Sequence, residues 1–200
     1  SLGIYRLFQR LSVRVSKAVI LCTIFFSVLM SVDFSLWHES GEIAITGILR
    51  EKILKSQQYK QGKITDVGFL TPCHSTPYQS YFHLAPSVAN IWWLTCEPPL
   101  QLDSSDKFKY YKDESDLFYD DPKGFLNENF PDINDSSNTA PDTEYSHSWP
   151  EYLIIYHQLE PLMHKILEGL NYSEDERIFN SKFHWDYRRT GDIIIYHKGN

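Results

Sequence analysis

Residues 18–32 read AVILCTIFFSVLMSV, fifteen positions without a charge, closed by Lys17 on one side and Asp33 on the other. As a helix this run spans roughly 22 Å, short of the roughly 30 Å hydrocarbon core of a bilayer. Extending it back through Val13 and Val15 restores the length, because Arg14 and Lys17 can snorkel their charges toward the headgroups. Apolar side chains run all round this helix, so it lacks the polar face a buried core helix turns toward water. The expectation is one membrane-crossing helix. Arg6, Arg10, Arg14 and Lys17 precede the run with no acid among them, which predicts a cytosolic amino-terminal side and places everything after Asp33 across the membrane. A secretory leader also pairs a basic region with a short apolar run, but residues 31–35 offer no obvious small-x-small cleavage site. The chain begins with Ser and is read as a fragment.

Two hundred residues, 42% apolar and 15% aromatic, suffice for one domain of ordinary size. The net charge of -7 gives no general attraction to a phosphate backbone, so nucleic acid is not an expected partner. Residues 101–145 hold twelve acids against four lysines and account for nearly all of that charge. The expected division is a cytosolic flank and span at 1–36, then a lumenal domain at 37–200. Two tripeptides suit a lumenal location: Asn134-Asp135-Ser136 and Asn171-Tyr172-Ser173 are N-glycosylation sequons. Cys73 and Cys96 lie in the same region and can pair in an oxidising compartment, whereas Cys22 stands in the apolar run.

Downstream, Ile45, Ile48, Leu49 and Leu54 share one face of a predicted helix over 42–55, which Gln61-Gly62 ends. Residues 64–70 (ITDVGFL) and 90–95 (NIWWLT) read as strands, the second stopped by Glu97-Pro98-Pro99. Aromatic anchors, among them Phe108, Phe118, Phe125 and Phe130, suit residues 101–130 to packing against a domain. Residues 131–148 have almost nothing to bury and read as a mobile acidic loop. Helical spacing of Leu153, Tyr156, Leu159, Met163 and Leu167 predicts a helix over 152–170, kinked at Pro161. Two strands over 177–185 and 192–197 complete the chain. The sum is an α/β fold: one amino-terminal transmembrane helix followed by a small lumenal mixed α/β domain.

The densest polar segment is residues 71–78, TPCHSTPY, in which two prolines stiffen a Cys-His-Ser-Thr core. His74, Ser75, Thr76 and Tyr78 offer donors and acceptors for sugar hydroxyls; the alternative is a tight loop whose hydroxyls cap its own backbone. A Cys73 nucleophile with His74 lacks a third orienting group, and zinc on Cys73, His74, His83 and Cys96 lacks paired short spacings. No metal and no catalytic residue are assigned. Acid pairs such as Asp113-Glu114 and Asp120-Asp121 read as solvated surface.

Residues 69–83 (FLTPCHSTPYQSYFH), 94–100 (LTCEPPL) and 113–130 (DESDLFYDDPKGFLNENF) resemble the family of GPI mannosyltransferases that add the third mannose during glycosylphosphatidylinositol (GPI) anchor synthesis, within glycosyltransferase family 22. The likeness covers residues 37–196 and is weakest through 131–150. It implies the carboxy-terminal piece of a multi-spanning enzyme of the endoplasmic reticulum membrane, which transfers mannose from dolichyl-phosphate mannose in α1,2 linkage to the second mannose of the GPI precursor. The implied partners are membrane lipid, the GPI precursor glycolipid and the remaining transmembrane part of the same enzyme. The family's acidic catalytic loop and His-Lys-Glu type motif lie upstream, so the chain alone is expected to be inactive and to carry no cofactor. The other readings are a non-enzymatic, single-span lumenal interaction module and a related transferase of N-glycan assembly using the same donor.

Overall fold

A computed structural model describes residues 3, 5, 9, 11–77, 81–100, 110–135 and 137–199. Arg6, Arg10, Tyr78, Phe108 and Ser136 lie outside the described residues. The chain divides into two units, residues 1–39 and 40–200.

The first unit is dominated by helix α1, Val13–Leu36. Ser12 caps it by accepting a hydrogen bond from Val15 N at 3.4 Å. Its 24 residues correspond to about 36 Å, enough for a bilayer core. The helix runs past Asp33, and none of its residues is buried in protein. Its best 18-residue window has a mean hydropathy of 2.2. Leu21, Phe25, Phe26 and Leu29 are each at least half exposed or nearly so; a helix of this kind is stable only where something other than water covers it.

The second unit is an α/β domain. Helix α2, Ser40–Lys55, is followed by the short α3, Gln57–Lys60, capped by Ser56, and Gly62 at φ 67 turns the chain into β1, Thr65–Leu70. Strand β2, Ala89–Trp93, precedes helices α4, Glu114–Asp120, and α5, Pro122–Asn129. Strand β3, Tyr152–Tyr156, leads through a 3-10 turn to helix α6, Glu160–Gly169, and strands β4, Tyr172–Ser181, and β5, Gly191–Lys198, end the fold. The sheet order is β2-β1-β3-β5-β4, with β2, β1 and β3 parallel and β5 and β4 antiparallel to their neighbours.

Strand alternation divides the core in two. Leu153, Ile155, Ile194 and Tyr196 meet Phe118, Phe125, Leu126, Met163 and Leu167 on the face covered by α4, α5 and α6. Tyr152, Ile154, Tyr156, Ile193 and Ile195 meet Ile45, Leu49 and Ile53 of α2 on the other.

The helix expected over 152–170 begins only at Glu160. Its first part, YLIIY, is the middle strand of the sheet, with all five residues buried. Helices cover both faces, so this strand has no polar alternation, and over five residues its continuous apolar run fits a helical period equally well. Pro161 stands in the first turn of α6, where its missing N–H costs nothing. The strand expected over 177–185 starts earlier, at Tyr172, and ends at Ser181.

The described residues of 131–148 form no regular element but are fastened by hydrogen bonds. The Asn138 amide brackets Trp149 through its backbone O at 2.8 Å and N at 3.0 Å. Thr143 Oγ1 donates to Asn129 Oδ1 at 2.9 Å, and His147 N donates to Asn129 O at 2.9 Å.

Gly68 pairs with Trp92 in the parallel ladder, and the indole lies over it: a Cβ there would stand 2.2 Å from Trp92 Cζ2. Trp92 in turn stacks on His147 at 4.1 Å between centroids. Gly68→Ala must displace that indole and is expected to cost about 1–3 kcal/mol, the usual range for overpacking. Denaturant unfolding of the detergent-solubilised chain measures this, with loss of near-UV dichroism as the sign of a displaced Trp92.

Candidate functional site

The polar loop predicted from TPCHSTP follows β1 directly. Thr71 and Pro72 are buried, and the Ser75 N–H donates to Pro72 O at 3.2 Å to close a turn. Cys73 is joined to Cys96 beyond β2 by a disulfide, with the two Cα atoms 6.0 Å apart. Just before the loop, Tyr119 of α4 donates its hydroxyl to Leu70 O at 3.2 Å. The segment is thus pinned at its start, its middle and its turn.

The named side chains do not converge on one surface. His74 is exposed, with a left-handed φ of 59 that the pinned turn imposes on a non-glycine residue. Ser75 is 4% exposed, and its Oγ points inward, close enough to the Tyr156 hydroxyl to act on its ionisation but without a well-formed hydrogen bond. Thr76 is half-buried, and Tyr78 lies outside the described residues. Ligand atoms of Cys73, His74 and Cys96 approach within 4.8 Å of one another. With both sulfurs in the disulfide, neither is a thiolate, and a single imidazole makes a poor metal site. His83 is exposed on a separate turn.

Beneath the loop lies a cluster that the sequence reading missed. Glu42, in the first turn of α2, is 5% exposed. Its Oε1 accepts from the Tyr156 hydroxyl at 2.6 Å and from Arg189 Nε at 2.9 Å, while Oε2 accepts from Arg189 Nη2. Glu42 N donates to Asn180 Oδ1 at 3.2 Å, and Asn180 Nδ2 and Ser181 Oγ both donate to Arg189 O at 3.3 Å. Gly41 permits this approach, since a Cβ there would stand 2.9 Å from both Asn180 Cβ and Phe179 O. Burial, and then the Glu42 carboxylate, push the Tyr156 phenol well above its ordinary pKa, so it remains a donor. Held by Arg189 and Tyr156 through three hydrogen bonds, Glu42 ties α2 to β3 and to the connection between β4 and β5. The partners of Glu42 lie 114 to 147 residues away from it in sequence, and no local spacing signals them.

A second buried carboxylate, Glu114 of α4, fastens the end of β2. Its Oε2 accepts from Thr95 N at 2.8 Å and Thr95 Oγ1 at 2.7 Å, and its Oε1 meets His147 Nε2 at 2.6 Å. The acid pairs read as solvated surface therefore have structural work. Glu114 is 2% exposed, Asp113 caps α4 through Asp116 N at 2.8 Å, and Asp121 caps α5 through Gly124 N at 3.0 Å. Asp120, in an exposed pair with Lys112, and Asp121, exposed while it caps α5, meet the surface expectation. The sequon asparagines Asn134 and Asn171 are both exposed, Asn171 at a φ of 63 between α6 and β4.

Arg189→Met leaves a buried carboxylate with one neutral donor and is expected to destabilise the α/β unit by about 3–5 kcal/mol, as breaking buried ion pairs does. Urea unfolding followed by tryptophan emission measures it, and a loss under 1 kcal/mol, about the worth of an exposed pair, would show that the ion pair is not buried in solution.

Comparison with known proteins adds identity to this geometry. Residues 2–83 match the Alg9-like mannosyltransferase family. A protein of Debaryomyces hansenii named GPI mannosyltransferase 3 is 44% identical over 185 residues, covering 92% of this chain and 31% of its own length. Proteins of the same name from Saccharomyces cerevisiae and Candida albicans are 38% and 40% identical, over 99% and 92% of this chain and 32% and 34% of their own. The chain thus spans about a third of the length of the curated relatives it matches. No solved structure matches it.

Proposed function

We propose, because residues 2–83 match the Alg9-like mannosyltransferase family and the chain is similar over most of its length to proteins named GPI mannosyltransferase 3, that it forms the membrane-attached α/β portion of a mannosyltransferase of GPI-anchor synthesis. The intact enzyme takes mannose from dolichyl-phosphate mannose and attaches it in α1,2 linkage to the second mannose of the GPI precursor. It works in the endoplasmic reticulum membrane, with the α/β unit in the lumen. The observation that carries this reading is the 44% identity across 92% of the chain, loop and paired cysteines included in the matched length. A disulfide between Cys73 and Cys96 and two exposed sequon asparagines accord with an oxidising, glycosylating compartment.

The catalytic residues lie outside this chain, which is inactive by itself. Support comes from how its acids are used: Glu42 and Glu114 each engage three partner atoms within the fold, and Asp113 and Asp121 serve as helix caps. A general base needs a free lone pair within reach of the acceptor hydroxyl. The unit instead presents the glycolipid acceptor with a rigid polar loop, in which the exposed His74 contacts sugar hydroxyls. Ser75 holds the loop from below, and Thr76 extends the surface.

In the intact enzyme, His74→Ala is expected to raise the apparent KM for the glycolipid acceptor about fivefold, the worth of one net hydrogen bond of about 1 kcal/mol, with kcat little changed. Ser75→Ala, which alters the buried side of the loop, is expected to act through positioning, and its effect is to be compared with that of Ser75→Thr. Unchanged acceptor KM in a well-folded His74→Ala enzyme removes the loop from acceptor binding.

Lumenal placement is read by protease treatment of sealed microsomes. The α/β unit is expected to survive until detergent is added, and digestion in intact vesicles would reverse the assigned topology.

A further inference from the structure

The connection between β4 and β5, residues 182–190 (KFHWDYRRT), is built inside out. Asp186, His184 and Arg188 fold inward. Asp186 is buried, caps the 3-10 turn Tyr187–Arg189 through Arg188 N at 3.1 Å, and is held in a fork by Arg188 Nε at 2.9 Å and Nη2 at 2.8 Å. The Asp186 N–H donates to His184 Nδ1 at 2.9 Å, and Arg188 also lies 5.3 Å from the Tyr119 ring centroid. Its aromatic groups face outward: Phe183 is 63% exposed, Trp185 87% and Tyr187 68%. A loop made to face water places these classes the other way round.

We propose that Phe183, Trp185 and Tyr187 form an interfacial anchor that seats the α/β unit in the headgroup boundary of the bilayer crossed by α1. Three observations favour lipid over a dry protein contact. The outward set is aromatic, with Trp and Tyr that combine an apolar ring with a polar edge, and residues 182–190 contain no Leu, Ile, Val or Met. The exposed Lys182 adjoins the set and can extend toward lipid phosphate. The third is chain reach. The loop's base is hydrogen-bonded through Asn180 and Arg189 to Glu42, six residues after the end of α1 at Leu36, and six residues extend at most about 22 Å. A bilayer that holds α1 is therefore within reach of the loop. This inference rests on the membrane reading of α1.

The test uses the 200-residue chain reconstituted in phosphatidylcholine vesicles, plain or brominated on the acyl chains near the headgroup. The emission lost on Trp185→Phe isolates Trp185, and that lost on Trp37→Phe reports the end of α1. Trp185 emission is expected to be blue-shifted, mostly lost in brominated lipid and little affected by aqueous iodide. Quenching by iodide but not by bromolipid puts the loop in water and overturns the proposal. Shielding from both means a protein contact, and a shift only on adding a mannose oligosaccharide means a glycan platform; either overturns it too. If Trp37 also escapes bromolipid, the membrane reading of α1 fails with it, whereas quenching of Trp37 alone confines the failure to the loop.

Discussion

A carboxylate removed from water must be neutralised where it lies, because the desolvation cost of several kcal/mol is otherwise unopposed. Glu42 meets that demand by drawing three distant parts of the chain to one point. Its own helix α2 begins shortly after the apolar span, Tyr156 ends the middle strand, and Arg189 closes the connection between the last two strands. The position in the first turn of α2 also suits an acid, since the helix dipole is positive there. Through this knot the start of α2, the floor beneath the 71–77 loop and the base of the aromatic connection share one fixed reference.

How much of this was legible in the sequence follows from the range of each interaction. The apolar helix α1 was readable because an unbroken apolar run declares itself by composition, and α2 because its stripe recurs within sixteen residues. YLIIY was misread for the same local reason: a strand covered on both faces loses alternation, and only neighbouring β1 and β5 distinguish it from a helix. The acids of 113–121 were read as a charged surface because composition cannot separate a cap from a solvated carboxylate. Asp113 and Asp121 are each followed three residues on by the N–H they bind, a spacing that was available, whereas the pairing of Glu114 with His147 across 33 residues was not.

The candidate loop shows the same boundary. Two prolines gave the expectation of a stiff loop, and the Cys73–Cys96 bond and the Tyr119–Leu70 contact pin it at two further points. Its side chains were harder to place, because four consecutive polar residues on a tight turn cannot all face one way. His74 points out at a positive φ while Ser75 points in toward Tyr156. A run of hydrogen-bonding residues is therefore a poorer guide to a binding surface than the turn that distributes them.

The distribution of charge bears on what the α/β unit would contribute to the enzyme proposed for it. Proton transfer needs a carboxylate or imidazole within reach of the reacting hydroxyl, and the buried acids Glu42 and Glu114 are instead held inside the fold by Arg189, Tyr156, Thr95 and His147. Binding and alignment need something else: stiffness, and a short path to the reacting groups. A unit hung from one helix by a few residues can still swivel, and each rotational freedom left open dilutes the acceptor's presence at the reactive centre. A second point of hold, away from the tether, removes that freedom at no chemical cost. The inverted packing of Asp186, Arg188 and His184 has this physical sense, because it fixes the aromatic connection to the same Glu42 knot that fixes the floor of the polar loop.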